Sequence, residues 1–126
     1  MRSVDTNVLV RLLTRDDAKQ VVAAEAFTQP GAWVSHLVLM EAVWVLDAVY
    51  AVGRAKIAAG IELLLDHAEL VVEDADVVAA ALEVYRKRAR VGFSDCLILE
   101  VARKAGHLPL GTFDRDLGKV VGAQKL

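Results

Sequence analysis

Short β-like runs alternate with longer helical runs along the chain, and this alternation limits the possible folds more than any other feature. The runs typical of strands are Met1–Val4, Ala32–Ser35, Leu70–Val72 and Leu108–Thr112. Strands that are separated by helices usually pair in parallel, because the intervening helix carries the chain back to the same end of the sheet. The sequence therefore predicts an α/β fold of three layers, with a central parallel β-sheet flanked by helices.

The segments between these strands have the periodicity and the end signals of helices. The predicted helices run from Asp5-Thr6-Asn7 through Leu13, from Asp16-Asp17 through about Phe27, from Leu37 to about Ala51, and over Arg54–Asp66, Ala75–Ala89 and Ser94–Ala105. No linker rich in Pro or Gly divides the sequence, so residues 1–126 are predicted to be a single domain, ending in a short tail.

The composition is apolar, with 56% hydrophobic residues and a mean hydropathy of +0.40. A sheet that is covered on both faces explains this, and so does an apolar surface that is buried in an oligomer. A membrane span is not predicted, because Glu41 and Asp47 interrupt the longest apolar stretch. Asp5 and Arg11 interrupt any signal-peptide core, so a cytoplasmic location is expected. A single cysteine, Cys96, excludes an intrachain disulfide and a cysteine-based zinc site.

The charge balance excludes a protein that holds nucleic acid by a broad basic surface, since the net charge is -2 and the pI is about 5.9. An enzyme that contacts nucleic acid only at one metal site remains compatible with this charge balance. Basic residues cluster locally at Arg86, Lys87, Arg88 and Arg90. Such a cluster is typical of a helix C-terminus, and it is also a candidate for steering RNA phosphates.

Four acids lie next to apolar runs, where a carboxylate is unfavourable: Asp5, Glu41, Asp95 and Asp114. Burying an ionised acid costs roughly several kcal/mol unless a cation meets it. Several such acids in one chain suggest that they share the same cation. Ligands that are all oxygen favour Mg²⁺ or Mn²⁺.

Each acid also has a purely structural interpretation. Asp5 is a favoured type of residue for capping the helix that follows. Glu41 has only apolar neighbours one turn away, so we expect it to be buried, either at a site or in a hydrogen bond to the backbone or to an Arg. Either Ser94 or Asp95 is expected to cap the following helix, and Asp114 fits a loop before a helix.

The remaining polar residues receive simpler interpretations. Glu100, which has Arg103 and Lys104 one turn ahead, is predicted to be an ordinary exposed ion-pair residue. Thr112 ends a strand and could hydrogen-bond a carboxylate or a water on a metal. Cys96 is expected in the core. Four aspartates are predicted to begin helices at the surface: Asp16, Asp17, Asp74 and Asp76. Three histidines are predicted to lie outside any metal site: His36, His67 and His107.

Four motifs together resemble the PIN domain, and within it the VapC-type toxins of bacterial toxin–antitoxin pairs. They are Val4-Asp5-Thr6-Asn7-Val8-Leu9-Val10-Arg11, Val34-Ser35 through Met40-Glu41, Phe93-Ser94-Asp95-Cys96 and Thr112-Phe113-Asp114-Arg115-Asp116-Leu117. The resemblance spans nearly the whole chain. It implies a PIN-like fold and an endoribonuclease that depends on Mg²⁺ or Mn²⁺ and cleaves single-stranded RNA.

The resemblance also implies roles for particular residues and partners. Asp5, Glu41, Asp95 and Asp114 match the catalytic and metal-binding acids, with Asp116 as an additional ligand. Asn7 and Thr112 match polar positions that support these acids. The implied partners are the RNA substrate, a cognate VapB-like antitoxin that blocks the site, and a second copy of the chain in a homodimer.

Other functions fit the residues less well. A receiver-type signalling domain needs neighbouring acids after its first strand and a Lys after its last, but Asp5 lies between Val4 and Thr6, and Lys119 is distant from Thr112. A haloacid-dehalogenase-like phosphatase needs a second Asp where Asn7 stands. A non-catalytic PIN scaffold that binds RNA or a partner is the remaining alternative, because a fold does not by itself confer activity.

Overall fold

The computed structural model describes residues 1–126. The chain forms two compact units, Met1–Ala75 and Asp76–Leu126. No helix is both long and apolar enough to span a membrane.

The first unit contains a parallel sheet of three strands in the order β1-β2-β3. Its elements are β1 (Arg2–Ser3), α1 (Thr6–Thr14), α2 (Ala18–Thr28), β2 (Ala32–Val34), α3 (His36–Ala48), α4 (Arg54–Asp66) and β3 (Leu70–Val72). In β2 the alternating side chains Ala32 and Val34 are fully buried, while Trp33, on the opposite face of the sheet, stays partly exposed. The side-chain period of two thus fixes which face of the sheet packs against the core.

The second unit contains two helices followed by a small parallel sheet. Its elements are α5 (Ala75–Lys87), α6 (Phe93–Ala105), β4 (Leu110–Thr112), a 3₁₀ turn (Leu117–Lys119) and β5 (Ala123–Lys125). Strands β4 and β5 pair in parallel with Leu110 opposite Ala123. Tyr85 and Phe93 pack edge to face, with their ring centroids 5.7 Å apart, and anchor α5 against the start of α6.

The predicted α/β class, with parallel strands and six α-helices, is confirmed. Two predicted ranges, Arg54–Asp66 and Leu70–Val72, are those of α4 and β3. The fourth strand, however, does not join the first three: β4 pairs with β5, in the segment predicted to be a short tail. Residues 123–125 carry no alternating pattern, so only their pairing with β4 shows that they form a strand.

Glu100 corrects a prediction, because it is only 7% exposed rather than a surface residue. Arg103 Nε donates to Glu100 Oε2 at 2.9 Å, and Arg103 Nη2 donates to the Val121 carbonyl at 2.6 Å. Lys104 pairs instead with Asp76. Pairing with Arg103 offsets the desolvation of Glu100, and the guanidinium ties α6 to the segment that leads into β5.

Gly122 is required at this point of the chain. Its φ of +98° is unfavourable for other residues, and a Cβ there would lie 2.9 Å from Arg103 Nη2. The glycine therefore lets the guanidinium approach the backbone closely. Glu100, Arg103, Val121 and Gly122 together form what we call the Arg103 clamp.

We expect Arg103→Ala to lower the free energy of unfolding by about 1–3 kcal/mol, because it leaves the Glu100 carboxylate buried without its partner. Lys87→Ala is the matched control, since the Lys87–Glu83 pair is exposed on both sides. That change should cost less than about 0.5 kcal/mol. Urea unfolding followed by circular dichroism gives both values, and equal losses would show that the Arg103 clamp has no special role in stability.

Candidate active site

Asp5 lies directly after β1 and begins α1. Its Oδ1 accepts the Val8 N–H at 3.2 Å, so it is the N-cap of the helix, as its residue type suggested. The side chain is exposed, which contradicts the expectation of a desolvated acid. Capping uses one of the two carboxylate oxygens.

Glu41 is exposed on α3, and the prediction that it is buried was wrong. Its neighbours one turn away, Leu37 and Trp44, are 79% and 64% exposed, so an apolar surface of the helix faces outward with it. The buried side is formed by other residues, among them Leu39 and Ala42. Because α3 is apolar nearly all round, its sequence does not reveal which side packs against the core.

Thr6 links the two candidate acids of the first unit, Asp5 and Glu41, and its position in the sequence predicted no such role. Its hydroxyl Oγ1 donates to Glu41 Oε2 at 3.0 Å, linking the first turn of α1 to α3. Asp5 is the neighbouring residue in the chain. The hydrogen bond therefore fixes the orientation of the Glu41 carboxylate relative to the start of α1. A hydroxyl residue that follows a candidate acid was the available signal in the sequence.

A polar cluster ties the other end of α1 to the end of α3. Arg11 Nη1 donates to Asp16 Oδ1 at 3.1 Å and to Tyr50 Oη at 2.9 Å, and Tyr50 Oη donates to Asp16 Oδ2 at 3.0 Å. The bond from Thr14 and then that from Tyr50 lower the pKa of Asp16, while Tyr50 raises the pKa of Arg11. Asp16 therefore does not begin α2; Asp17 is its N-cap.

Asp95 lies in the first turn of α6. The N-cap is Gly92, so the prediction that Ser94 or Asp95 caps this helix was wrong. Asp95 is partly buried, and burial raises the pKa of its carboxyl group, with a further increase from the negative charge of Asp114. Of the four candidate acids, Asp95 is the one that the structure partly desolvates.

Asp114 lies in a tightly bonded loop after β4. Its Oδ1 accepts the Leu117 N–H at 2.8 Å, and its own N–H donates to Thr112 Oγ1 at 3.0 Å. Thr112 thus shapes the loop that holds Asp114. Asp116 immediately precedes the 3₁₀ turn but makes no capping bond, and Asn7 is exposed on α1.

The donor chemistry of these acids fits Mg²⁺ or Mn²⁺, because all the candidate ligands are carboxylate oxygens. The negative charge of Asp114 raises the pKa of Asp95, and a cation bound between the two carboxylates would offset that repulsion. Neither unit by itself gathers three or more His, Cys, Asp or Glu side chains in an arrangement for a metal ion. His36 lies beside Glu73, with Nδ1 3.8 Å from Oε1.

Two further surface features contain none of the candidate acids. A cleft of about 710 Å³ in the first unit is bordered by α1, α2, α4 and β3, and contains none of the candidate acids. On the second unit, the basic residues at the end of α5 are all exposed: Arg86, Lys87, Arg88 and Arg90. Lys87 is paired with Glu83 at 3.1 Å.

Comparison with known proteins gives one family match and one solved structure. The family model described as PIN domain matches residues 3–123. The search of curated proteins found no match. Among solved structures, the crystal structure of VapC20 from Mycobacterium tuberculosis, a toxin that cleaves the sarcin-ricin loop, is 24% identical. The alignment covers 94% of this chain and 93% of that chain, with a TM-score of 0.43.

Two substitutions at Asp5 separate the effect of its charge from the effect of its helix-capping hydrogen bond on stability. We expect Asp5→Asn to leave the free energy of unfolding nearly unchanged, because an amide oxygen caps a helix as well as a carboxylate. Asp5→Ala should lower it by about 0.5–2 kcal/mol. Urea unfolding of the two variants beside the wild type measures the difference. Equal losses in both would mean that the charge itself stabilises the fold.

The raised pKa of Asp95 predicts a pH-dependent stability. Because the folded-state pKa lies above the unfolded value, the folded protein binds more protons, and the free energy of unfolding falls as pH rises between the two. In EDTA at pH 7, Asp95→Asn should therefore be more stable than the wild type. The two should converge below about pH 3.9, the usual Asp value.

Urea titrations between pH 3 and pH 8 test this expectation. Asp47→Asn, which removes the charge of an exposed aspartate on α3, is the control. A lower stability of the Asp95 variant at every pH would mean that the ionised carboxylate supports the fold rather than straining it.

Proposed function

The chain belongs to the PIN domain family, and on this premise we propose that it is a VapC-type endoribonuclease that cleaves single-stranded RNA with Mg²⁺ or Mn²⁺. The observation that carries the proposal is the pair formed by Asp95 and Asp114. The fold holds these two carboxylates close enough for one to raise the pKa of the other. An arrangement that costs stability is typical of a functional site.

We propose Asp5, Glu41, Asp95 and Asp114 as the catalytic and metal-binding acids, with Asp116 as an additional ligand. A divalent ion, when bound, polarises a phosphate and lowers the pKa of a coordinated water. Among the chain's own residues, Thr6 orients the carboxylate of Glu41. Thr112 holds the backbone of Asp114 in place.

Water, and not a side chain, is the proposed nucleophile. The Cys96 thiol is fully buried and so is not placed to attack a phosphate. His36 and His67 each pair only with a glutamate, so neither is paired with a side chain that it could activate as a nucleophile. Water attacks phosphorus and the bond between phosphorus and the 3′-oxygen breaks. The products are a 5′-phosphate and a 3′-hydroxyl. The 2′-hydroxyl takes no part in this reaction, so no cyclic phosphate forms.

RNA binding is proposed to depend on local basic residues rather than on the whole surface, since the net charge is -2. Arg86, Lys87, Arg88 and Arg90 form an exposed group within the same unit as Asp95. Cations at the surface attract phosphates over about 8 Å at physiological salt. We propose that this group steers the RNA.

The proposed protein partners are a VapB-like antitoxin and a second copy of the chain. The cleft of the first unit supports the first of these, because seven of its thirteen lining residues are apolar and two of them, Val22 and Leu63, are each 66% exposed. Exposed Leu37 and Trp44 on α3 support a further protein contact. A cytoplasmic location remains a prediction.

Cleavage of single-stranded RNA by the purified chain, freed of any antitoxin, tests the proposal. Cutting should require Mg²⁺ or Mn²⁺ and stop in EDTA. Asp5→Asn and Asp95→Asn should each lower the rate at least roughly 100-fold, more than residues outside the ligand shell usually do. Both variants should stay folded by circular dichroism. The products should carry 5′-phosphates, shown by their ligation without prior kinase treatment.

Glu41→Gln and Asp47→Asn form a matched pair for this assay, because both acids are exposed on α3. Only the first should lose activity. Cleavage that survives EDTA or the Asp5 and Asp95 substitutions would point to a contaminating nuclease. No cleavage of any RNA class by the folded protein would favour a non-catalytic scaffold.

A further inference from the structure

Phe113 is an aromatic residue that the fold does not bury. Its side chain is 80% exposed, while the other two aromatic residues of the second unit, Tyr85 and Phe93, are 5% and 2% exposed and pack against each other. An exposed phenyl ring loses the hydrophobic stabilisation that a core position would give it. Nothing in the packing of the second unit uses this ring.

The exposed position of Phe113 follows from an ordered loop. Thr112 Oγ1 accepts the Asp114 N–H at 3.0 Å, so the residues on either side of Phe113 are bonded to each other. Asp114 is fixed again by the N–H groups of Leu117 and Gly118, at 2.8 and 3.0 Å. The backbone on both sides of Phe113 is therefore fixed, and the exposed ring belongs to the residue directly before Asp114.

We propose that Phe113 stacks on an unpaired base of single-stranded RNA next to the bond that is cut. This inference rests on the proposed function. Phe113 and Asp114 are adjacent in the chain, with Cα atoms about 3.8 Å apart, so the ring is attached next to a residue proposed for catalysis. Proteins commonly bind single strands by stacking bases on exposed aromatic rings, and every base offers such a face.

The charges around Phe113 fit a nucleotide better than a protein surface. Arg115, two residues further on, is exposed, so the ring is followed by an acid and a base rather than by apolar residues. A nucleotide presents one flat base and one phosphate, and an aromatic ring near a cation matches both. A protein partner would favour a contiguous apolar patch.

Binding of a fluorescent single-stranded RNA, measured by anisotropy, tests the stacking. Binding is measured in Asp95→Asn protein, which prevents cleavage, and cutting is measured in otherwise wild-type protein. We expect Phe113→Ala to weaken binding roughly 5- to 100-fold. Phe113→Trp should restore binding, and Phe113→Leu should not. Val121→Ala is the matched control, because Val121 is equally 80% exposed in the same unit.

RNA substrates that each lack one base distinguish stacking from an effect on the loop. When the missing base is the stacked one, the Phe113→Ala and parent proteins should bind to within about twofold of each other. At every other position the difference should persist. A role limited to loop structure would give the same difference for all positions.

Three results would overturn the inference. Phe113→Ala could bind and cut every RNA like the parent, or its defect could be independent of the missing base. The substitution could also impair only self-association in sedimentation velocity, which would make the ring a protein contact. In each case metal-dependent cutting by the wild type can still stand. If the wild type neither binds nor cuts RNA, the proposed function fails together with this inference.

Discussion

The ion pair between Glu100 and Arg103 holds together the part of the chain in which two like charges meet. Burial and the negative charge of Asp114 raise the pKa of Asp95, so α6 and the loop after β4 must be held in place by other contacts. Arg103 provides such a contact from the last turn of α6. It neutralises Glu100 and binds the Val121 carbonyl just before β5, which pairs with β4. An ion pair with one buried partner, Glu100, thus stabilises an arrangement that the candidate site itself disfavours.

The first unit fixes its acids by a different means. Thr6 joins α1 to Glu41 at one end of the helix, and the cluster of Arg11, Asp16 and Tyr50 joins α1 to the end of α3 at the other. A helix that is bonded at both ends cannot slide or rotate without breaking one set of bonds. These contacts are modest individually, since exposed polar interactions contribute little to stability. Their effect is to orient side chains.

The sequence predicted the order and type of the elements well, but it did not predict which residues would be buried. The pattern of α4 is amphipathic and Gly53 directly precedes it, so the predicted range of this helix, Arg54–Asp66, was correct. Glu100 was wrongly predicted to be exposed. A Glu with an Arg one turn ahead gives the same sequence pattern whether water or the Val121 backbone lies beside the pair. The β5 strand was missed because a strand of this length is stabilised by its partner rather than by its own residues.

Three of the four candidate acids are exposed, so burial does not single them out, yet their exposure does not weaken the case for a metal. Asp5, Glu41 and Asp114 are exposed and keep their hydration, so the cost of burying a charge falls on Asp95 alone. Mg²⁺ dehydrates reluctantly and keeps several waters in protein sites. Exposed carboxylates suit such an ion better than a dry cage of ligands. The apolar residues around these acids serve another purpose: they form the helices and strands that hold the carboxylates in position.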